Sequence, residues 1–150
     1  MEEEQYESLK LNQQICFPIY AASRIITKYY QPLLNKIDLT YPQYLVMLLM
    51  WEHEVLNVKS IGEKLILASN TLTPLLKRLQ EKSLIERKRS DNDERVVEII
   101  LTNEGKALKN KAKDVPKALV ASFKNEKINL EDIKQLKMIL ELIIQDYKAV

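Results

Sequence analysis

Few residues in the chain are able to do chemistry. Cys16 is the only cysteine among the 150 residues. It rules out an internal disulfide and suits a reducing cytoplasm. A thiolate attacks peroxides, and the sulfenic acid that results condenses with a second thiol or a backbone nitrogen. Because the chain holds no other cysteine, either that second thiol is a small cytoplasmic one or overoxidation follows. A lone cysteine is also commonly a small buried hydrophobe, and both readings stay open on the residue itself. Cys16, Tyr20, Ser23, Thr27 and Tyr30 recur at spacings of 4, 3, 4 and 3, so they share one helix face. Cys16 and Tyr30 are nevertheless 14 residues apart, roughly 21 Å along a helix. A contact between them requires two copies of the chain with their helices antiparallel.

The second chemical resource is charge. The formal net charge is only +2, but Lys77, Arg78, Lys82, Arg87, Lys88, Arg89 and Arg95 crowd one stretch, while Glu2, Glu3, Glu4 and Glu7 open the chain. Clustered cations are the electrostatic footprint of a nucleic-acid contact, and equally a solvated face. Ser69, Asn70, Thr71, Thr73, Pro74, Lys77 and Arg78 all lie within one helical segment. Hydroxyls, an amide and helix-start N–H groups can bond phosphates and base edges, and the cations can reach phosphates or guanine acceptors. Asp93 and Arg95 stand two apart, which on a strand puts them on one face, with the acid holding the arginine extended toward a narrow minor groove.

Other chemistry is excluded. One histidine and one cysteine cannot build a zinc site, so no metal is expected. No glycine-rich phosphate loop or serine nucleophile elbow occurs, so no cofactor and no enzyme are expected. The acidic start lacks the apolar stretch of a secretory signal. The longest apolar run, residues 44–51, falls far short of the ~20 residues that span a bilayer.

The elements that must position these residues follow from periodicity. A long helix is predicted from Leu9 to about Leu34, bent at Pro18. Thr40 caps a second helix that runs to about Glu54 and is apolar on all sides, so it is buried. Asn57 caps a third over Val58 to Leu65. Ser69 or Asn70 caps a fourth that reaches Lys82, with Leu72, Leu75, Leu76 and Leu79 inward. Then the period becomes two. Val97, Ile99 and Leu101 form a strand, Leu84 to Arg89 its antiparallel partner, and residues 90–94 a polar turn. Thr102 starts a fifth helix, and Asn129, with Asp132 at the capping-box position, starts a sixth. The sixth carries Ile133, Leu136, Leu140, Ile143 and Tyr147 and is too apolar for the outer surface of a monomer, so it either packs into the chain's own core or, as is expected, joins two copies. The fold class is therefore mostly α with a small β-hairpin wing. It is a winged helix-turn-helix of six helices, dimeric through its N- and C-terminal helices. One subunit spans 1–150, with a DNA-binding lobe at about 36–102 and dimerisation helices at about 7–35 and 103–150.

Several stretches, in order, resemble the MarR family of winged-helix regulators, and within it the one-cysteine type of the organic hydroperoxide (OhrR) branch. They are Gln14-Ile15-Cys16-Phe17, Tyr20-Ala21-Ala22-Ser23-Arg24, Leu39-Thr40-Tyr41-Pro42-Gln43-Tyr44-Leu45, Trp51-Glu52-His53-Glu54, Thr71-Leu72-Thr73-Pro74-Leu75-Leu76-Lys77-Arg78 and Asp93-Glu94-Arg95. The resemblance implies a cytoplasmic homodimeric repressor on a pseudo-palindromic double-stranded DNA operator. The fourth helix would lie in the major groove and Arg95 in the minor groove, with Lys88, Arg89 and Asp93 beside it. Cys16 would be the peroxide-sensing thiol, supported by Tyr20, Tyr30 and Tyr41, with an organic hydroperoxide and a low-molecular-weight thiol as reactants. One departure stands out. The branch usually has Asp-Ser-Gly before Thr-Leu-Thr-Pro, where this chain has Ala68-Ser69-Asn70. Asn70 brings an amide able to read adenine.

Four other readings share the same residues. They are a regulator that binds a small aromatic acid with Cys16 only structural, a virulence or biofilm regulator that uses the same thiol, a thiol peroxidase, and a protein-binding winged helix without DNA. The peroxidase lacks an arginine or histidine motif near Cys16. The others differ in what releases DNA, or in whether DNA binds at all.

Overall fold

The computed structural model describes residues 6–122 and 129–149, which leaves out Glu2, Glu3 and Glu4. Its contacts divide the chain into two compact units, Met1–Leu119 and Val120–Val150. In the first, α1 spans Cys16–Asn35, α2 Tyr41–His53, α3 Val58–Leu65 and α4 Ser69–Glu81. Then come β2 (Ile85–Arg89), β3 (Val97–Leu101) and α5 (Asn103–Ala112), with β1 (Val55–Asn57) lying between α2 and α3. A further helix, α6, covers Val115–Ser122, and α7 covers Leu130–Ala149. Among the described residues no helix is long and apolar enough to cross a membrane.

α2 is the buried helix its composition requires. Val46, Met47 and Met50 have no accessible surface, and Tyr44 and Trp51 are buried beside them. It begins with a capping box. The Thr40 hydroxyl accepts from the Gln43 N–H, and the Gln43 side chain accepts from the Thr40 N–H at 3.0 Å. Two orphan donors are thereby satisfied where the chain enters the core. At its far end the Trp51 indole N–H donates to the Gly105 carbonyl of α5 at 2.8 Å. Leu34 of α1, Leu72, Leu76 and Leu79 of α4, and Ile85, Ile99 and Leu101 of the sheet close the same cluster.

The helix-turn-helix and wing form as the pattern dictates. Asn57 caps α3 through the Ser60 N–H at 2.7 Å, and Thr102 caps α5 through the Gly105 N–H at 3.0 Å. β3 is central in an antiparallel sheet ordered β1-β3-β2. Leu56 pairs with Ile99 on one side, and Arg87 with Ile99 on the other. With two glycines in the chain, four turns use other residues in the left-handed region: Asp38, Glu54, Ile66 and Ser83. A β-branched side chain there is strained, so Ile66, between α3 and α4, is a costly joint.

Four expectations change. The long first helix starts at Cys16 rather than Leu9, after two short 3-10 turns at Glu7–Leu9 and Leu11–Gln13. Pro18 therefore sits in the first turn, where its missing N–H costs no helix bond, and causes no mid-helix bend. α4 is capped by Ala68, with no side-chain bond, rather than by Ser69 or Asn70. The fifth predicted helix is two segments, α5 and α6. β1 was not foreseen.

In the second unit, Asn129 caps α7 as its sequence predicts. Its side-chain oxygen accepts from the Glu131 and Asp132 N–H groups, and Asp132 accepts from the Asn129 N–H at 2.9 Å. Ile133, Leu136, Ile139, Leu142, Ile143 and Tyr147 are all exposed, from 44% to 69%.

Gly105 supplies the first prediction. A Cβ there would press on the Leu84 carbonyl oxygen and lie 2.6 Å from Leu101 Cδ1. Gly105→Ala should therefore lower the unfolding free energy by about 3 kcal/mol through overpacking. Urea denaturation measures it, and an unchanged midpoint would show that the α5–β3 packing is looser than described.

Candidate DNA interface and thiol site

The outward face of α4 gathers most of the polar residues singled out by sequence. Ser69, Asn70, Thr71, Thr73, Pro74, Lys77 and Arg78 are all exposed, opposite the leucine stripe. The Thr71 hydroxyl donates to the Asn70 side-chain oxygen at 3.4 Å. Pro74 lies inside the helix and has no N–H to give the Asn70 carbonyl. Lys77 is a loose partner of Glu81 at 3.9 Å. Arg78 stands on the flank, in a recess it shares with Asn35, Asp38 and Lys82.

The wing turns differently from the extended Asp93–Arg95 arrangement that sequence predicts. Residues 91–96 are not strand. The Asp93 side chain accepts from the Arg95 backbone N–H at 3.0 Å, and the Asp93 carbonyl accepts from the Val96 N–H at 2.9 Å. Asp93 is thus a turn former, and no ion pair joins it to the Arg95 guanidinium among the described residues. Arg95 is left exposed on the turn. Between the wing, α3 and the start of α4 runs a groove of about 570 Å³, lined by Arg95, Ser69 and, beyond the predicted contacts, Asn57, Lys59 and Arg87.

β2 divides its cations by side. Paired residues of adjacent strands share a face, so Arg87 and Arg89 lie with Ile99 and Val97, and Lys88 lies with Glu98. Lys88 bonds Asp91 at 2.7 Å. That hydrogen bond and the charges of Asp91 and Glu98 hold its ammonium above the ordinary lysine range. Counting in twos from buried Ile85 would have found Arg87.

Cys16 is exposed, at the first turn of α1, and is not the buried hydrophobe that lone cysteines commonly are. Tyr20, one turn on, is exposed under the Arg24 guanidinium, 5.6 Å from its ring centre. Tyr30 and Tyr41 meet far along the helix, with ring centres 4.7 Å apart, and Tyr44 lies 5.8 Å from Tyr30. Desolvation, then the neighbouring Tyr41 and Tyr44, push Tyr30 up to about 12, and burial raises Tyr41 as well. Their hydroxyls stay protonated donors. The protomer brings Tyr30 and Tyr41 together and leaves Cys16 14 residues away on α1.

A recognition helix, a hairpin wing and a cation-lined groove between them define a winged-helix nucleic-acid-binding regulator. A family model described as transcriptional regulator SarA/Rot matches residues 28–112. The chain is 50% identical, over 95% of both chains, to the organic hydroperoxide resistance transcriptional regulator of Bacillus subtilis. Among solved structures it matches reduced AbfR bound to DNA, at 34% identity and TM-score 0.76 over 99% of this chain and 98% of that one. It also matches overoxidised AbfR bound to DNA, at 34% identity and TM-score 0.69 over 95% and 99%. The chain belongs to the MarR-type family of winged-helix transcriptional regulators, in its one-cysteine OhrR branch. That is a family of regulators, not enzymes.

The tyrosine cluster makes a pH prediction. A hydroxyl that ionises near 10 unfolded and about 12 folded contributes stability that is complete below the unfolded value and lost as pH rises through the folded one. The protein should therefore lose stability between about pH 10 and 12, and Tyr30→Phe should lose less. Urea midpoints at both ends of that window test it, and identical slopes for the two proteins would contradict it.

Proposed function

We propose that this chain is a cytoplasmic, homodimeric repressor that binds a pseudo-palindromic operator and releases it when Cys16 is oxidised by an organic hydroperoxide. The observation that carries the reading is the joint placement of an exposed thiol on α1 and an exposed polar face on α4, in a chain half identical to a hydroperoxide resistance regulator. α4 reads the major groove through Ser69, Asn70, Thr71, Thr73, Pro74, Lys77 and Arg78. Arg95 enters the minor groove from a turn shaped by Asp93, with Arg89 on the strand behind it. Two copies related by a two-fold axis read half-sites about 10 base pairs apart. A second copy would also cover the apolar side chains that α1 and α7 each leave exposed, such as Phe17 and Ile19 on one and Ile139 and Leu142 on the other, since exposed apolar faces mark association surfaces.

The chemistry has two balanced steps. The Cys16 thiolate attacks the terminal peroxide oxygen and the O–O bond breaks. Sulfur is oxidised to the sulfenic acid, and the remaining oxygen leaves as the alkoxide, which takes a proton from water to become the alcohol. A low-molecular-weight thiol then condenses with the sulfenic acid, forming an S–S bond and releasing water. In the dimer, Tyr30 and Tyr41 of one copy approach Cys16 of the other and donate hydrogen bonds to the thiolate, alongside Tyr20. Overoxidised AbfR has been captured on DNA, which favours the bulky mixed disulfide as the releasing species.

The test pairs intact mass with operator shift after treatment with an organic hydroperoxide and a small thiol. The fraction that leaves DNA should carry one thiol adduct per chain. Cys16→Ser should bind as tightly as the wild type and stay bound, and Arg95→Ala should lose about tenfold or more in affinity with its fold intact. A serine variant that still releases under peroxide places the sensor elsewhere. Release by a small aromatic acid alone would favour a ligand-responsive regulator.

A further inference from the structure

The groove between α3, the start of α4 and the wing contains cations that the function above does not use. We propose that Arg87, and not Lys88, is the β2 cation that holds the DNA sugar–phosphate backbone, and that this groove is where the strand lies. The inference rests on the DNA-binding reading and adds a residue to it.

Register decides between the two neighbours. Arg87 lies across from Ile99 on the core side of the sheet, where it lines the groove with Arg95 and Ser69. It is only partly exposed, and its guanidinium has no acidic partner among the described residues. Arg95 is likewise unpaired, and Lys59 at the rim is shared with Glu63 only loosely, at 3.8 Å. The groove thus holds two free guanidinium groups and one weakly held ammonium against a single carboxylate. Its floor includes Leu72 and Val97, apolar surface suited to a deoxyribose. Lys88 is on the opposite face with Glu86 and Glu98, and is bonded to Asp91. A phosphate there would meet three carboxylates. Desolvating a guanidinium on a phosphate also gives a stronger, forked bond than an ammonium already committed to an aspartate.

A contact to the backbone carries no sequence information, which makes the test specific. Binding is followed by fluorescence anisotropy on two duplexes, an operator selected from random DNA with the wild-type protein and an unselected duplex, between about 50 and 200 mM salt. Arg87→Gln should weaken both duplexes by about tenfold, keep their ratio, and reduce the salt slope by about 0.9 per protomer. Arg87→Lys should retain most of the slope. Lys88→Gln should stay within about twofold of wild type on both. Should Gln loosen the strand, Arg87→Met keeps the aliphatic stem beside Ile99 and gives the same reading. Arg87 variants that bind like wild type, or a loss that follows Lys88 instead, would overturn the assignment and leave the DNA-binding reading standing. A wild-type protein that binds neither duplex would remove both.

Discussion

Burial of α2 is the constraint on which the other elements depend. A single small core encloses most of one helix, and Val46, Met47 and Met50 with no accessible surface show that α2 occupies it, with Leu48 left 41% exposed on its outer side. Such a helix cannot leave polar groups unsatisfied at its ends, because each costs about 1–3 kcal/mol when buried. The Thr40–Gln43 capping box meets that demand at one end and the Trp51 indole bond to Gly105 at the other. The residue that accepts the second bond is a glycine for a separate reason, since a Cβ there would run into the Leu84 carbonyl and the Leu101 side chain. The inner faces of α1, α4 and the sheet all end on α2. The DNA-facing surface is therefore the outer side of elements whose inner sides are set by one helix.

How much of this was legible in the sequence depends on whether a signal is local. Caps at Thr40, Asn57, Thr102 and Asn129 were readable because a side-chain oxygen and the N–H it bonds are only two or three residues apart. The α4 stripe and the β2–β3 hairpin were readable because burial of one face leaves a period of 3.6 or 2. β1 was not, since three residues cannot show a period. The left-handed turns at Asp38, Glu54, Ile66 and Ser83 were hidden because their usual marker, glycine, is absent there. The start of α1 was misplaced because Leu9, Leu11 and Ile15 continue an apolar rhythm through turns that are not α-helical. Pro18 was the better marker, as proline is tolerated in a first turn far more easily than in an interior.

The site was legible by composition and less so by direction. Counting cations found the 77–95 cluster but could not say which way each points. The strand sorts them, with Lys88 toward Asp91 and Glu98, and Arg87 and Arg89 the other way. Asp93 was expected to hold the Arg95 side chain, but its carboxylate accepts from the Arg95 backbone N–H instead. That frees the guanidinium for an outside partner. Spacing put Tyr20 and Tyr30 on the helix face of Cys16 and the resemblance added Tyr41, yet only the fold shows that Tyr30 and Tyr41 form one cluster with Tyr44.

The layout of α1 bears on how oxidation of an exposed thiol can move a DNA-reading helix. Among the described residues its last turns, around Tyr30, Leu33 and Leu34, pack on the core. Phe17, Ile19 and Ile25, nearer its start, stand exposed, so among the described residues the helix is about 30 Å long and held by the core at one end. In an antiparallel pair of such helices, each Cys16 lies over the fixed end of its partner, beside the tyrosines that join α1 to α2. A group added at Cys16 would then load the joint, not the free tip. Overfilling a packed site costs about 1–3 kcal/mol, and a symmetric dimer does it twice, giving about 2–6 kcal/mol against the DNA-bound spacing. Reversing an equilibrium from 99:1 to 1:99 takes about 5.5 kcal/mol. A bulky mixed disulfide at both thiols would come near that figure only at the top of its range, and the few added oxygens of an overoxidised thiol would fill less space.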